Sequence, residues 1–295
     1  MNLNLQQLSG IINDDSKLID YLMNYSGTIK LSDVFSFNDI VGTSVSIINE
    51  PEIQKHYSGI ISRLIIMRPQ YLPPGFKLAE GTIPVEPVEG GWKWNGNLTI
   101  RDFNWSNPIF KGKPVVEVTG NFSIQYSGVT SLRGCPSKIG GSFLATKCKF
   151  KTLEFFPTSI GDDVDLSEGE LESLDGLNIK ELDGDFDISK NNIKSLKGCP
   201  QIIDGYFDCQ WNNITSLEYG PKTVGGDYIC ADNNIKSLKG VPEEINGDFN
   251  CSSNNFSTLE GGPKSVEGDY NGSGNYIGSD GMQGKPEHVG GSFYL

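Results

Sequence analysis

Glycine returns along most of this chain at a fixed interval, as Gly120, Gly141, Gly184, Gly205, Gly226, Gly247, Gly268 and Gly291, with Asp162 standing in the same place in one unit. The interval is 21 residues except for 22 after Asp162 and 23 after Gly268. A unit that short cannot bury its own apolar side chains, so the repeat dictates a stack of units sharing one core. With the glycine as position one, position three reads Phe122, Phe143, Val164, Phe186, Phe207, Tyr228, Phe249, Tyr270 and Phe293. Position five reads Ile124, Ala145, Leu166, Ile188, Cys209, Cys230, Cys251 and Gly272. This is the period of a short strand with one buried face. Positions ten and thirteen, Ile193 and Leu196 in the unit from Gly184, are apolar in unit after unit and join the same core.

Position eight is polar: Asn191, Asn212, Asn233, Asn254 and Asn275, preceded by Ser127, Cys148 and Gly169. A buried asparagine where the chain leaves the strand satisfies backbone groups that would otherwise cost about 1–3 kcal/mol each. The asparagines that follow, Asn192, Asn213, Asn234 and Asn255, suit a turn residue with positive φ. Position fourteen runs Lys197, Glu218, Lys239, Glu260, so stacking in register alternates the sign of charge. Proline near the end of the unit and the lack of a helical period over positions 14 to 20 predict turns or extended segments on the side away from the strand.

The pattern apolar-x-apolar-x-x-Asn-x-apolar-x-x-Leu resembles that of the leucine-rich repeat family, which also admits cysteine in the asparagine slot, as at Cys148. With Pro136, Pro157, Pro200, Pro221, Pro242 and Pro263 the unit is similar to the short bacterial repeats of secreted effectors and of large tailed-phage proteins. The resemblance covers about residues 120 to 295 and extends back to 96. It implies a β-rich solenoid of parallel strands with little or no helix on its convex side, and a concave sheet face that binds protein. It also implies a phage- or bacterium-encoded inhibitor of a host or defence protein.

Residues 1–95 read as a separate, partly helical α+β domain with a proline-rich connection. Asn49, Pro51 and an apolar face of Ile53, Tyr57, Ile60, Ile61, Leu64 and Ile65 predict one helix, Ser16 to about Tyr25 a second, and Ser32 or Asp33 the start of a third. "GGWKWNGNLTIRDF", with Trp92, Trp94, Leu98 and Ile100, reads as a degenerate first rung or cap on the solenoid 96–295.

A net charge of −13 argues against nucleic acid and anionic membranes as partners and favours a protein with a basic surface. No apolar run reaches the roughly 20 residues that span a bilayer, and the start lacks a basic, then apolar, leader, so a cytoplasmic location is expected, the host cytoplasm if the chain is phage-encoded. Cys209, Cys230 and Cys251 occupy an apolar slot and read as buried free thiols. With two histidines and no CxxC, GxSxG, phosphate-loop or HExxH motif, no metal, cofactor or enzymatic activity is expected.

The candidate binding residues are those pointing away from the core along the strand: Asp163, Asp185, Tyr206, Asp227 and Asp248 at position two, Asp165, Asp187, Asp208 and Ile229 at position four, with Trp211 beside them. Aspartates sharing a face repel and raise one another's pKa, which suits a basic partner, and the aromatics resemble an interface hot spot. The plainer reading is a solubilising face inherited with the repeat. Two further readings stand beside binding: a self-assembling structural or virion component, forming a homo-oligomer through the C-terminal edge at Phe293 and Leu295, and an enzyme housed in residues 1–95.

Overall fold

The computed structural model describes residues 85–100, 109–110 and 113–295, so the helices expected before residue 85 lie outside the described residues. Residues 86–107 with 115–295 form one compact unit. Of the other, 1–85 with 108–114, the description covers an antiparallel pairing of Ile109 with Pro114 and of Phe110 with Lys113.

The repeat unit is one rung of a parallel β-solenoid. Ten two-residue strands pair side by side: Leu98–Thr99, Phe122–Ser123, Phe143–Leu144, Val164–Asp165, Phe186–Asp187, Phe207–Asp208, Tyr228–Ile229, Phe249–Asn250, Tyr270–Asn271 and Phe293–Tyr294. Every pairing is parallel and sets position three on position three, so the register is that of the sequence repeat. We number these rungs 1 to 10. Rung 1 begins at Gly96, as expected of the degenerate segment, with Leu98 and Ile100 buried. Its tryptophans belong elsewhere: Gly91–Trp94 pairs with Lys113–Val118 in a second ladder.

That second ladder occupies the side for which turns or extended segments were expected. It continues through Lys138–Ile139 and Ser159–Ile160, and shorter sheets follow at Glu181–Leu182, Ile202–Ile203 and Thr223–Val224, then at Glu244–Ile245, Ser265–Val266 and His288–Val289. The first break falls where rung 4 carries its extra residue. Among the described residues the helical content is one 3-10 turn, Ser279–Met282.

The core is built in columns. Position-three rings stack along the axis with centroids 4.9–5.9 Å apart. Rung 4 has the small Val164 in that column, and nearby Phe156 meets Phe143 edge-on at 5.3 Å. Gly220 leaves space for the Tyr228 hydroxyl, since a Cβ there would sit 3.2 Å from it. The asparagine column works as expected: Asn212 Oδ1 accepts from the Ile193 amide at 2.9 Å, while Nδ2 donates to the carbonyls of Ile188, Cys209 and Gln210. Cys148 takes the slot in rung 3 and donates to the Ile124 carbonyl.

Positive φ does not fall on Asn192, Asn213, Asn234 and Asn255, contrary to expectation. It falls two residues earlier, at Tyr126, Lys147, Glu168, Lys190, Trp211, Asp232 and Ser253, with φ of 53–61°. A left-handed residue there turns the chain so that the next side chain, the asparagine, points inward under its own strand's carbonyls.

Candidate functional site

The outward face of the ten-stranded sheet is where the candidate residues meet, and most of them are already engaged by the fold. At position two, the side-chain oxygen of one rung accepts the backbone N–H of the next. Asp163 takes the Asp185 amide at 3.0 Å, Asp185 that of Tyr206 at 2.9 Å, Asp227 that of Asp248 at 2.7 Å, and Asp248 that of Asp269 at 2.8 Å. Asn97 and Asn121 do the same in rungs 1 and 2. These amides leave the strand ladder and need an acceptor, which the previous rung supplies.

This ladder explains the defining glycine. The accepting oxygen occupies the space a Cβ would take at position one of the next rung: 2.2 Å from it at Gly141, 2.1 Å at Gly205 and 2.1 Å at Gly268. Only glycine lets the oxygen approach so closely. The one exception proves consistent: Asp162 follows Ser142, whose hydroxyl lies 3.3 Å from the Asp162 carboxylate.

Position four does a second job. Its Oδ1 accepts the amide two residues on, from Ser167 to Asp165, Ser189 to Asp187, Gln210 to Asp208, Ser252 to Asn250 and Ser273 to Asn271, at 2.8–3.2 Å. Such a turn closes the end of each strand. Position twelve, serine or threonine in each unit from Gly120 to Gly268, performs a parallel task at the far end: its hydroxyl accepts the amide two residues on at 3.1–3.3 Å in six rungs. The invariance of that column was the available signal, and sequence reasoning passed over it.

Burial, more than mutual repulsion, governs the electrostatics here. Asp208 is 7% exposed, and its carboxyl is pushed up to about 6, first by burial and then by Asp187, with Lys190 opposing. Asp187 moves the same way, again first by burial. The Tyr206 hydroxyl is pushed up to about 12 by burial and by Asp187, Asp185, Asp165 and Asp208, and so stays protonated.

Three candidates are not used by this hydrogen bonding. Tyr206 interrupts the position-two ladder, so the Asp227 amide has no side-chain oxygen beneath it. Ile229 interrupts the position-four turns. Trp211 is 56% exposed at φ 55°. On the same corner Lys147 lies over the Tyr126 ring at 5.1 Å, and Glu168 pairs with both Lys147 and Lys190 at 3.3 Å. Tyr126, Lys147, Glu168 and Lys190, in rungs 2 to 5 of this corner, thus engage one another, and Trp211 follows in rung 6.

The expected thiol column is present: Cys209, Cys230 and Cys251 are buried and free, and burial raises their pKa, that of Cys251 to about 12. They pack; a protonated thiol at depth is neither nucleophile nor ligand. No group of three or more metal-ligating side chains occurs among the described residues, and none of their helices is long and apolar enough to cross a membrane. No protein-family model, curated protein or solved structure matches the chain significantly, so the likeness to leucine-rich repeats rests on the repeat pattern and the parallel solenoid it forms.

Proposed function

We propose that this is a non-enzymatic recognition protein of the leucine-rich-repeat type, phage- or bacterium-encoded, that binds and blocks a host protein in the cytoplasm through its sheet face. The supporting observation is that the fold needs an oxygen at positions two and four but not a charge. Asn97, Asn121, Asn250 and Asn271 supply that oxygen as amides. Asp163, Asp165, Asp185, Asp187, Asp208, Asp227 and Asp248 supply it as carboxylates, at the cost of crowding like charges. An excess of charge beyond the structural need suits a partner rich in lysine and arginine, where it speeds encounter and rejects acidic competitors.

The test is capture from host lysate on the immobilised chain at low and high salt, beside a variant with Asp163, Asp185, Asp227 and Asp248 changed to Asn. One stoichiometric, salt-sensitive partner retained by the parent and lost by the variant is the expected result. Equal retention by both, with equal unfolding midpoints, overturns the role of the charge. A partner whose activity is unchanged on binding overturns the blocking role.

A further inference from the structure

Between rungs 4 and 9 the outward face follows a code that the fold explains: an Asx residue at position two for the next rung's amide, and an Asx residue at position four with a polar residue at position six closing the strand. The departures cluster. Tyr206 replaces the Asx at position two of rung 6, Ile229 replaces the Asx at position four of rung 7, and Ala231 replaces the serine or glutamine at position six of the same rung. Trp211, at the corner of rung 6, stands beside them. Each departure forfeits a hydrogen bond its neighbours make, and none is repaid among the described residues. Gly226 shows the loss plainly: glycine is kept there as if an oxygen were to lie over it, yet Tyr206 offers none. Local rules broken without local compensation mark positions shaped by something else.

Resting on the binding function proposed above, we infer that Tyr206, Trp211 and Ile229 form the anchoring contact for a protein segment that carries an arginine or lysine flanked by apolar side chains. Two aromatics and one aliphatic offer apolar area at low entropic cost, while Ala231, buried beneath them, only drops the polar group its neighbours carry. Asp187, Asp208 and Ile229 pair in register on three successive strands, and the half-buried Asp187 places an acceptor for a cation beside that area. The remaining aspartates steer the partner, whereas this patch holds it.

The test uses the full chain. Randomised twelve-residue peptides displayed on a surface are selected on the parent protein, and the selected peptides are then measured against two variants. The first, Tyr206→Asp with Ile229→Asn, restores the code; the second, Glu154→Gln with Glu244→Gln, removes two exposed charges that lie off the ten-stranded sheet. Peptides enriched in Arg or Lys beside apolar residues are expected, with affinity falling about tenfold or more on the first variant and little on the second. The first variant is also expected to unfold about 2–4 °C higher, because the Asp227 amide gains its acceptor. Peptides that bind the first variant as well as the parent overturn this patch while leaving recognition elsewhere intact. No selectable peptide on any protein overturns the binding function itself, and with it this inference. An unchanged or lower midpoint overturns the argument that the departures carry a cost.

Discussion

Rungs 4 and 5 and rungs 6 and 7 share one backbone and present different surfaces. In the first pair the outward residues are Asp163, Asp165, Asp185 and Asp187, each holding a backbone amide. In the second they are Tyr206, Asp208, Asp227 and Ile229, of which the aromatic and the aliphatic hold none. The difference separates two reasons for a residue to recur. A side chain that completes the hydrogen bonding of its neighbour belongs to the repeat and says little about a partner. One that breaks the pattern, in a rung whose core is unchanged, calls for an explanation outside the fold.

The largest effect should erase the distinction, because the interior is common to both regions. Asn191→Ala in rung 5 and Asn212→Ala in rung 6 each remove the acceptor of a buried amide and three donor contacts. Urea denaturation should show each losing about 3 kcal/mol or more, by similar amounts. Unequal losses would mean that the two regions differ in the core as well.

Next comes Asp208→Asn, which keeps the oxygen for the Gln210 amide and removes a buried charge. The native carboxyl titrates near 6, above its ordinary range, so the ionised form is disfavoured on folding. The variant should therefore be more stable than the parent at pH 8, by about 3 kcal/mol at most. That advantage shrinks as pH falls from 6 towards 4 and vanishes below about pH 3, where the carboxyl is neutral in both states. Denaturation at pH 8 and pH 4 checks it, and a constant difference would refute the burial argument.

Gly141→Ala tests the ladder itself. The new Cβ would lie 2.2 Å from the Asn121 oxygen, and the strain should cost about 2 kcal/mol. Asn121→Ser should recover part of that loss, reproducing the Ser142–Asp162 pair. No recovery in the double variant would show that the glycine answers to the backbone alone.

A smaller gain is expected at Tyr219. It holds φ 69° where Gly134, Gly176, Gly198, Gly240 and Gly261 serve the corresponding turns, and it is 60% exposed. Tyr219→Gly should stabilise the chain by about 1 kcal/mol by thermal melting. A loss would show that the ring packs to some purpose. The smallest effect belongs to Trp211→Ala, which should leave the unfolding midpoint within error while removing partner capture, the behaviour of a residue the fold does not use.

Much of this was legible in the residues. Positions three, five, ten and thirteen read as inward from their apolar periodicity, and rungs 2 to 8 bury all of them, because a core excludes polar groups in a way one chain makes visible. The buried asparagines were also legible, since a polar residue recurring among apolar ones needs backbone partners. The candidate site was only half legible. Asp163 and Tyr206 stand in the same column of the repeat, and nothing in the sequence says that one oxygen accepts an amide 22 residues ahead while the ring accepts nothing. The turn residue was misplaced for a related reason: asparagine tolerates positive φ and drew the expectation to Asn192, whereas the ladder imposes it on Lys190 whatever the side chain.

The sequence by itself determined that this is a stack of 21-residue rungs with one shared core, because the spacing of apolar residues is a covalent fact that every stacked arrangement must respect. Only the tertiary structure decided which surface residues are free. That depends on where the oxygen of one rung lies relative to the amide and the missing Cβ of the next, a distance between atoms of different rungs that no single unit contains.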